Sequence, residues 1–135
     1  MKPPILFIPA IQKNLDIKIN KSEIKKLPKK LFLAYSIQYK ELAENIKSQL
    51  TKNKIKVIKQ QQVLGCSKIS NKNNIPILLI STGKFHAQNL YLQTPILYVL
   101  ENNKIIKIPE SEIRNLKAKK KTALIKFLKA ERVGI

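Results

Sequence analysis

The chain has 135 residues, which suits one domain and leaves little room for a second core. Its 27 lysines and arginines against 8 acids give a formal charge of +19, and its single cysteine excludes an intrachain disulfide framework. No apolar run approaches the ~20 residues that a membrane helix needs, and no charged-then-apolar leader opens the chain, so the expectation is a cytoplasmic protein without a membrane.

A charge of this size would ordinarily point to nucleic acid, an anionic membrane or an acidic partner. Only Arg114 and Arg132 are arginines, however, so the forked guanidinium suited to phosphate and guanine is nearly missing. The lysines are scattered among isoleucines and asparagines along the whole chain, as a Lys-rich compositional bias would leave them. The balance therefore weighs against nucleic acid as a partner.

In chain order, PPILFIP at 3–9 is an apolar run bounded by prolines and reads as a lone strand, followed by a polar, Lys/Asn-rich connector from about Gln12 to Lys30. LFLAYSI at 31–37 reads as a buried strand. After it, Leu42, Ile46 and Leu50 stand four apart, which is one stripe of an amphipathic helix. IKVIKQ at 55–60 alternates apolar and polar residues, as a strand with one wet face would.

The loop VLGCSKISNKNN carries the cysteine, and PILLIS at 76–81 follows as a strand buried on both faces. PILYVL at 95–100 is a further strand, and ENNK at 101–104 is a turn into the short run IIKIP. A helix from about Glu110 to Glu131 closes the chain. Ile113, Leu116, Leu124, Phe127 and Leu128 form its expected inner side, and Lys119 to Lys121 form a solvated run.

Strands alternating with helices or loops imply a three-layer α/β domain with a mainly parallel sheet of four to five strands and right-handed crossovers. Ligands of such sheets bind beyond the carboxyl ends of the strands. That rule gathers three separate polar segments, YSIQY, LGCS and STGKFH, onto one rim.

Each segment also has a purely structural reading. Cys66 could be a small buried hydrophobe, Gly65 a turn residue at positive φ, His86 a packed histidine, and Gln38 a helix start. A nucleophilic cysteine would need a base, and His86 is the only histidine, with no acid nearby in sequence to orient it. One thiol and one imidazole fall short of a closed zinc or iron-sulfur set, so a metal here would take its other ligands from elsewhere.

These segments, in this order, resemble the middle domain of the archaeal-type diphthamide synthase family, the 2-(3-amino-3-carboxypropyl)histidine synthases. The resemblance rests on LFLAYSIQ at 31–38, QVLGC at 62–66, STGKFH at 81–86, PILYVLENNKIIKI at 95–108 and the tail FLKAERVGI at 127–135. It covers residues 31–135 as the middle domain with its C-terminal linking helix. Residues 1–30 would be a strand of the preceding domain, joined to that domain's sheet, and a connector. QVLGC is the specific element. Lys84 stands where the family usually has arginine, and Ala87 where it has proline.

The resemblance implies three similar domains that each give one cysteine to a shared 4Fe-4S cluster, with Cys66 as the ligand from this one. Gln38, Gly65, Ser81, Thr82 and Gly83 become candidates to hold S-adenosylmethionine, with Lys84 and His86 as possible neighbours of the site. In this family an electron from the cluster breaks the bond from sulfur to Cγ of the methionine part. The aminocarboxypropyl radical so formed adds to a histidine of translation elongation factor 2.

The chain by itself lacks the two other cysteine-bearing domains, so the expected partners are chains that carry them, one cysteine each, and elongation factor 2. A remnant without activity is the alternative within the family, and PPILFIP, as a strand kept for a neighbouring sheet, favours a split enzyme. A non-catalytic scaffold subunit of the same family, in which Cys66 only packs, is a further alternative; outside the family, the alternatives are a basic RNA- or ribosome-associated module and quinolinate synthase, whose chemistry does not come with QVLGC and GKFH.

Overall fold

In the computed structural model, residues 3–6, 8, 10, 11, 17–71, 73–82, 84–132 and 134 are described, the side chain of Lys84 excepted. The elements are helix α1 (Lys21–Ile24), strand β1 (Lys30–Tyr35), a 3₁₀ turn (Ile37–Tyr39), helix α2 (Lys40–Lys52), strands β2 (Lys56–Gln62) and β3 (Ile77–Ile80), helix α3 (Lys84–Tyr91), strands β4 (Leu97–Glu101) and β5 (Lys104–Lys107), and helix α4 (Glu110–Leu128).

Among the described residues these strands form one five-stranded sheet in the order β2-β1-β3-β4-β5. β1 pairs in parallel with both β2 and β3, β3 pairs in parallel with β4, and β5 returns antiparallel to β4. The return is a two-residue hairpin. Asn102 and Asn103 sit at φ 48° and 62°, the left-handed pair that matches sheet twist and that asparagine tolerates better than most residues.

The continuous apolar runs are explained by burial on both faces. Leu31, Leu33, Leu78, Ile80 and Leu100 point into one core under α1 and α2, while Phe32, Ala34, Ile77, Leu79 and Val99 point into a second under α3 and α4. Fully burying a leucine or isoleucine side chain is worth ~1.5–3 kcal/mol before entropy is counted, so the two layers carry most of the fold's stability. β2 is the polar edge: Ile58 is 43% exposed, and Lys56 and Lys59 face solvent, which discourages pairing with another chain.

Three segments depart from expectation. The connector is no mere polar tether, because Ile19, Ile24 and Leu27 enter the core and Glu23 Oε2 accepts the backbone N–H of Ile105 at 2.8 Å. Residues 84–91, read only as rim loop, form α3. Its weak amphipathicity hides it, for Ala87, Leu90 and Tyr91 are buried but the intervening amides are polar.

The last departure is in α4, whose expected inner stripe is covered over its first turns only. Ile113 is buried and Leu116 packs against the core, while Leu124, Phe127 and Leu128 are 57–71% exposed. The run PPILFIP pairs with no strand among the described residues; Ile5, Leu6 and Ile8 are each about four-fifths exposed, and Phe7 and Pro9 lie outside the described residues.

Candidate functional site

The chain passes from β1 to its neighbour β2 on one side and then crosses back over β1 to β3 on the other, so the carboxyl ends of β1 and β3 flank the point where the strand order reverses. Doubly wound sheets open a crevice at such a point, because the crossovers on the two sides depart to opposite faces. Ser36 follows β1 there and Ser81 follows β3, and Ser36 N–H bonds Ile80 O at 3.2 Å. The Ser36 carbonyl accepts Tyr39 N–H at 2.9 Å and so starts the 3₁₀ turn that carries Gln38. Ser36 Oγ is buried and has no hydrogen-bond partner among the described residues.

Gln38 and Thr82 meet across this crevice, with Nε2 donating to Oγ1 at 3.5 Å, a long bond between exposed groups. Ser81 is 5% exposed, and its hydroxyl lies 3.2 Å from His86 Nδ1 and 3.3 Å from Thr82 O. If the hydroxyl donates to Thr82 O, the histidine must donate from Nδ1, which leaves Nε2 as a free acceptor. Gly83 lies outside the described residues, and the backbone of Lys84 opens α3.

The cysteine loop joins the rim through β2. Val63 N–H bonds Tyr35 O at 2.8 Å and Val63 is 1% exposed, which seats the loop at the sheet's end. Leu64 to Ser67 then make a tight turn: Ser67 N–H bonds Leu64 O at 3.1 Å, and Ser67 Oγ accepts Leu64 N–H at 2.6 Å. Cys66 is at its apex, with its thiol free and exposed.

The turn is fastened to α3. Ser67 O accepts Asn89 Nδ2 at 2.9 Å and Gln93 Nε2 at 2.8 Å, and Gln93 Oε1 accepts Ile69 N–H at 2.7 Å. Gly65 does not adopt positive φ, so the turn alone does not demand glycine. Its reason is close approach, since a Cβ there would overlap Phe85 Cε1 and lie 2.6 Å from Cζ.

Two pockets flank the rim. One of about 390 Å³ lies on the α2 side between Tyr39, Leu42, Thr82 and the β4–β5 hairpin, and one of about 240 Å³ lies on the α3 and α4 side around Tyr91 and Glu112. Ser81 and Glu101 border both. In the smaller pocket Tyr91 is 2% exposed and its hydroxyl donates to Glu112 Oε1 at 3.3 Å. Burial, and the adjacent Glu112 carboxylate, push the Tyr91 hydroxyl up to about 12.

The structure thus joins Gln38 to Thr82 and Ser81 to His86 and brings Phe85 over Gly65, while no hydrogen bond links His86 to Cys66 among the described residues. Sequence reasoning missed Ser36, Asn89 and Gln93. The last two, at the end of α3 and just beyond it, were readable as anchors of the cysteine loop only once a helix was placed at 84–91. Among the described residues no group of three or more His, Cys, Asp and Glu could hold a metal ion. The chemistry of the rim fits one corner of a metal site: a single exposed thiol on a loop tied by three side-chain hydrogen bonds to Asn89 of α3 and to Gln93 just beyond it.

Fold and rim together define a doubly wound α/β domain with a crevice at the switch point and one thiol on the same rim. The family model described as "Putative diphthamide synthesis protein" matches residues 1–135, and the chain belongs to that family. Among solved structures it is similar to Dph2 from Pyrococcus horikoshii, with 22% identity and a TM-score of 0.57, over 74% of this chain and 34% of that one. The likeness establishes a common fold, and the chain spans about a third of the length of the protein it matches. Among curated proteins none matches.

Proposed function

We propose that this chain acts in diphthamide biosynthesis as the Cys66-bearing domain of a 2-(3-amino-3-carboxypropyl)histidine synthase, with partner chains supplying the other two cysteines. The observation that carries the reading is the Cys66 turn, exposed at the rim yet fastened to α3, on a chain of the diphthamide synthesis family. A ligand for a shared cluster must reach out of its own domain and keep its position, and this turn does both.

When bound, a 4Fe-4S cluster would supply the electron that cleaves the sulfur to Cγ bond of S-adenosylmethionine. Cys66 would give it one thiolate. Gln38 and Thr82, meeting across the crevice, offer an amide and a hydroxyl to the amino acid end of the substrate, and Ser36 Oγ is a further donor without a partner among the described residues. The exposed apolar residues Ile5, Leu6 and Ile8 at one end, and Phe127 and Leu128 at the other, support partner domains on both sides. The histidine to be modified would belong to translation elongation factor 2.

The test is anaerobic co-expression with chains carrying the other two cysteine-bearing domains. The expected product is a brown, oxygen-sensitive complex that adds an aminocarboxypropyl group to elongation factor 2, detected by mass spectrometry. Cys66→Ala should strip the iron and the activity while leaving the fold intact; full iron content in that variant would sink the reading. Iron without transfer would instead make the chain a scaffold.

A further inference from the structure

We propose that Phe85 is a positioning residue that shields the flank of the Cys66-held metal group from water and thereby keeps its reduction potential low. The inference rests on the reading of Cys66 as a cluster ligand. Phe85 is 69% exposed, although its ring is apolar and α3 has a core beneath it. The ring lies in the space that a Cβ on Gly65 would fill, one residue from the thiol. His86 braces it edge-on, with ring centroids 5.7 Å apart and planes at 83°.

The ring and the cysteine turn are also anchored to the same helix. Phe85 is in the first turn of α3, and the same helix grips the cysteine turn from Asn89, with Gln93 just beyond its end. A surface phenylalanine held this way gains little within the chain itself, since most of its ring remains wet. Its position becomes useful when something is bound to Cys66.

A cluster gains a negative charge on reduction, and water at its edge stabilises that charge and raises the potential. An aromatic ring against the edge has the opposite effect and favours a stronger reductant. It also blocks the approach of oxygen. In this account Gly65 serves Phe85: the missing side chain is what lets the ring reach the turn.

The experiment uses the assembled complex described above, with Phe85→Ala, Phe85→Leu and Gly65→Ala versions of this chain. Potentials are read by anaerobic redox titration of the cluster's visible absorption, and protection by the rate of bleaching in air at equal iron content. Phe85→Ala should shift the potential to more positive values and bleach several-fold faster, and Phe85→Leu should stay near the unaltered complex. Gly65→Ala, which displaces the ring without removing it, should follow Phe85→Ala.

If the unaltered complex holds iron while neither Phe85→Ala nor Gly65→Ala changes potential or bleaching, the shield is wrong and the ligand role of Cys66 stands. Loss of iron in both variants would make Phe85 a requirement for holding the group and would also overturn the shield. If the unaltered complex takes up no iron, both readings fall together.

Discussion

Gln93 grips the cysteine loop with both ends of its amide: Nε2 donates to Ser67 O at 2.8 Å while Oε1 accepts Ile69 N–H at 2.7 Å. One side chain just beyond α3 thus satisfies two backbone groups on either side of Lys68. Without it, Ile69 N–H is left unmet in a half-buried place, while Ser67 O keeps its bond from Asn89 Nδ2. Gln93→Ala should cost ~1–3 kcal/mol in thermal or denaturant unfolding, the penalty for leaving one such donor unmet. The rate of Cys66 alkylation in the isolated chain should rise, because the turn is then held from α3 by Asn89 alone. Gln93→Glu keeps the acceptor for Ile69 and loses the donor for Ser67, so it should fall between.

Tyr91 and Glu112 give α3 and α4 a shared dependence on alkaline pH. The folded hydroxyl keeps its proton to about pH 12 against an ordinary value of 10.0, so between those values the unfolded chain ionises first. The folded state binds more protons there, and stability must fall as pH rises through that window, with the tyrosine's contribution unchanged below it. Lysines titrate in the same range, so the comparison is with Tyr91→Phe. That variant should lose ~1 kcal/mol at neutral pH for the missing bond to Glu112 and should show a shallower alkaline decline. A phenolate absorbance titration should lose its latest component in the same variant.

At the other side of the sheet, Glu23 works in acid. The Lys26 ammonium, 2.6 Å from Glu23 Oε1, and the Ile105 N–H hold its carboxyl below its ordinary 4.5. A depressed carboxylate favours the fold fully above 4.5, and the advantage is lost as pH falls through the lower folded value. Glu23→Gln should flatten the acid limb of a stability against pH profile, and hydrogen exchange at Ile105 should quicken in it at neutral pH. An unchanged acid limb would show that α1 is held to β5 by the burial of Ile24 and Leu27 alone.

The sheet was legible because its three central strands carry apolar runs without interruption, which leaves two-sided burial as their consistent fate, and because two adjacent asparagines mark the β4–β5 hairpin. The rim followed from topology, so Gln38 and Thr82 could be placed together from chain order alone. What was not legible depended on side chains that serve single atoms. Gln93 and Asn89 look like surface amides until their carbonyl partner is known, and Ser36 differs from any other serine only by being left alone in a buried place. Gly65 invited a φ argument, while its cause is a ring twenty residues away.

The stripe on α4 shows the same limit, since its period says which residues share a face and nothing of what covers them. Ile113 and Phe127 belong to one stripe, yet Ile113 is 4% exposed and Phe127 is 60%. Ile113→Ala should therefore cost ~2–5 kcal/mol, the range for truncating a buried isoleucine, including the cavity left behind. Phe127→Gln with Leu128→Gln should change the stability of the isolated chain by less than ~0.5 kcal/mol, as expected of surface positions. In the assembled complex the order should reverse for binding: the double variant, tested by co-purification, should lose a partner chain that Phe85→Ala retains. Equal recovery of all chains would mean that the far half of α4 is solvated in the complex as well, and that partners dock elsewhere.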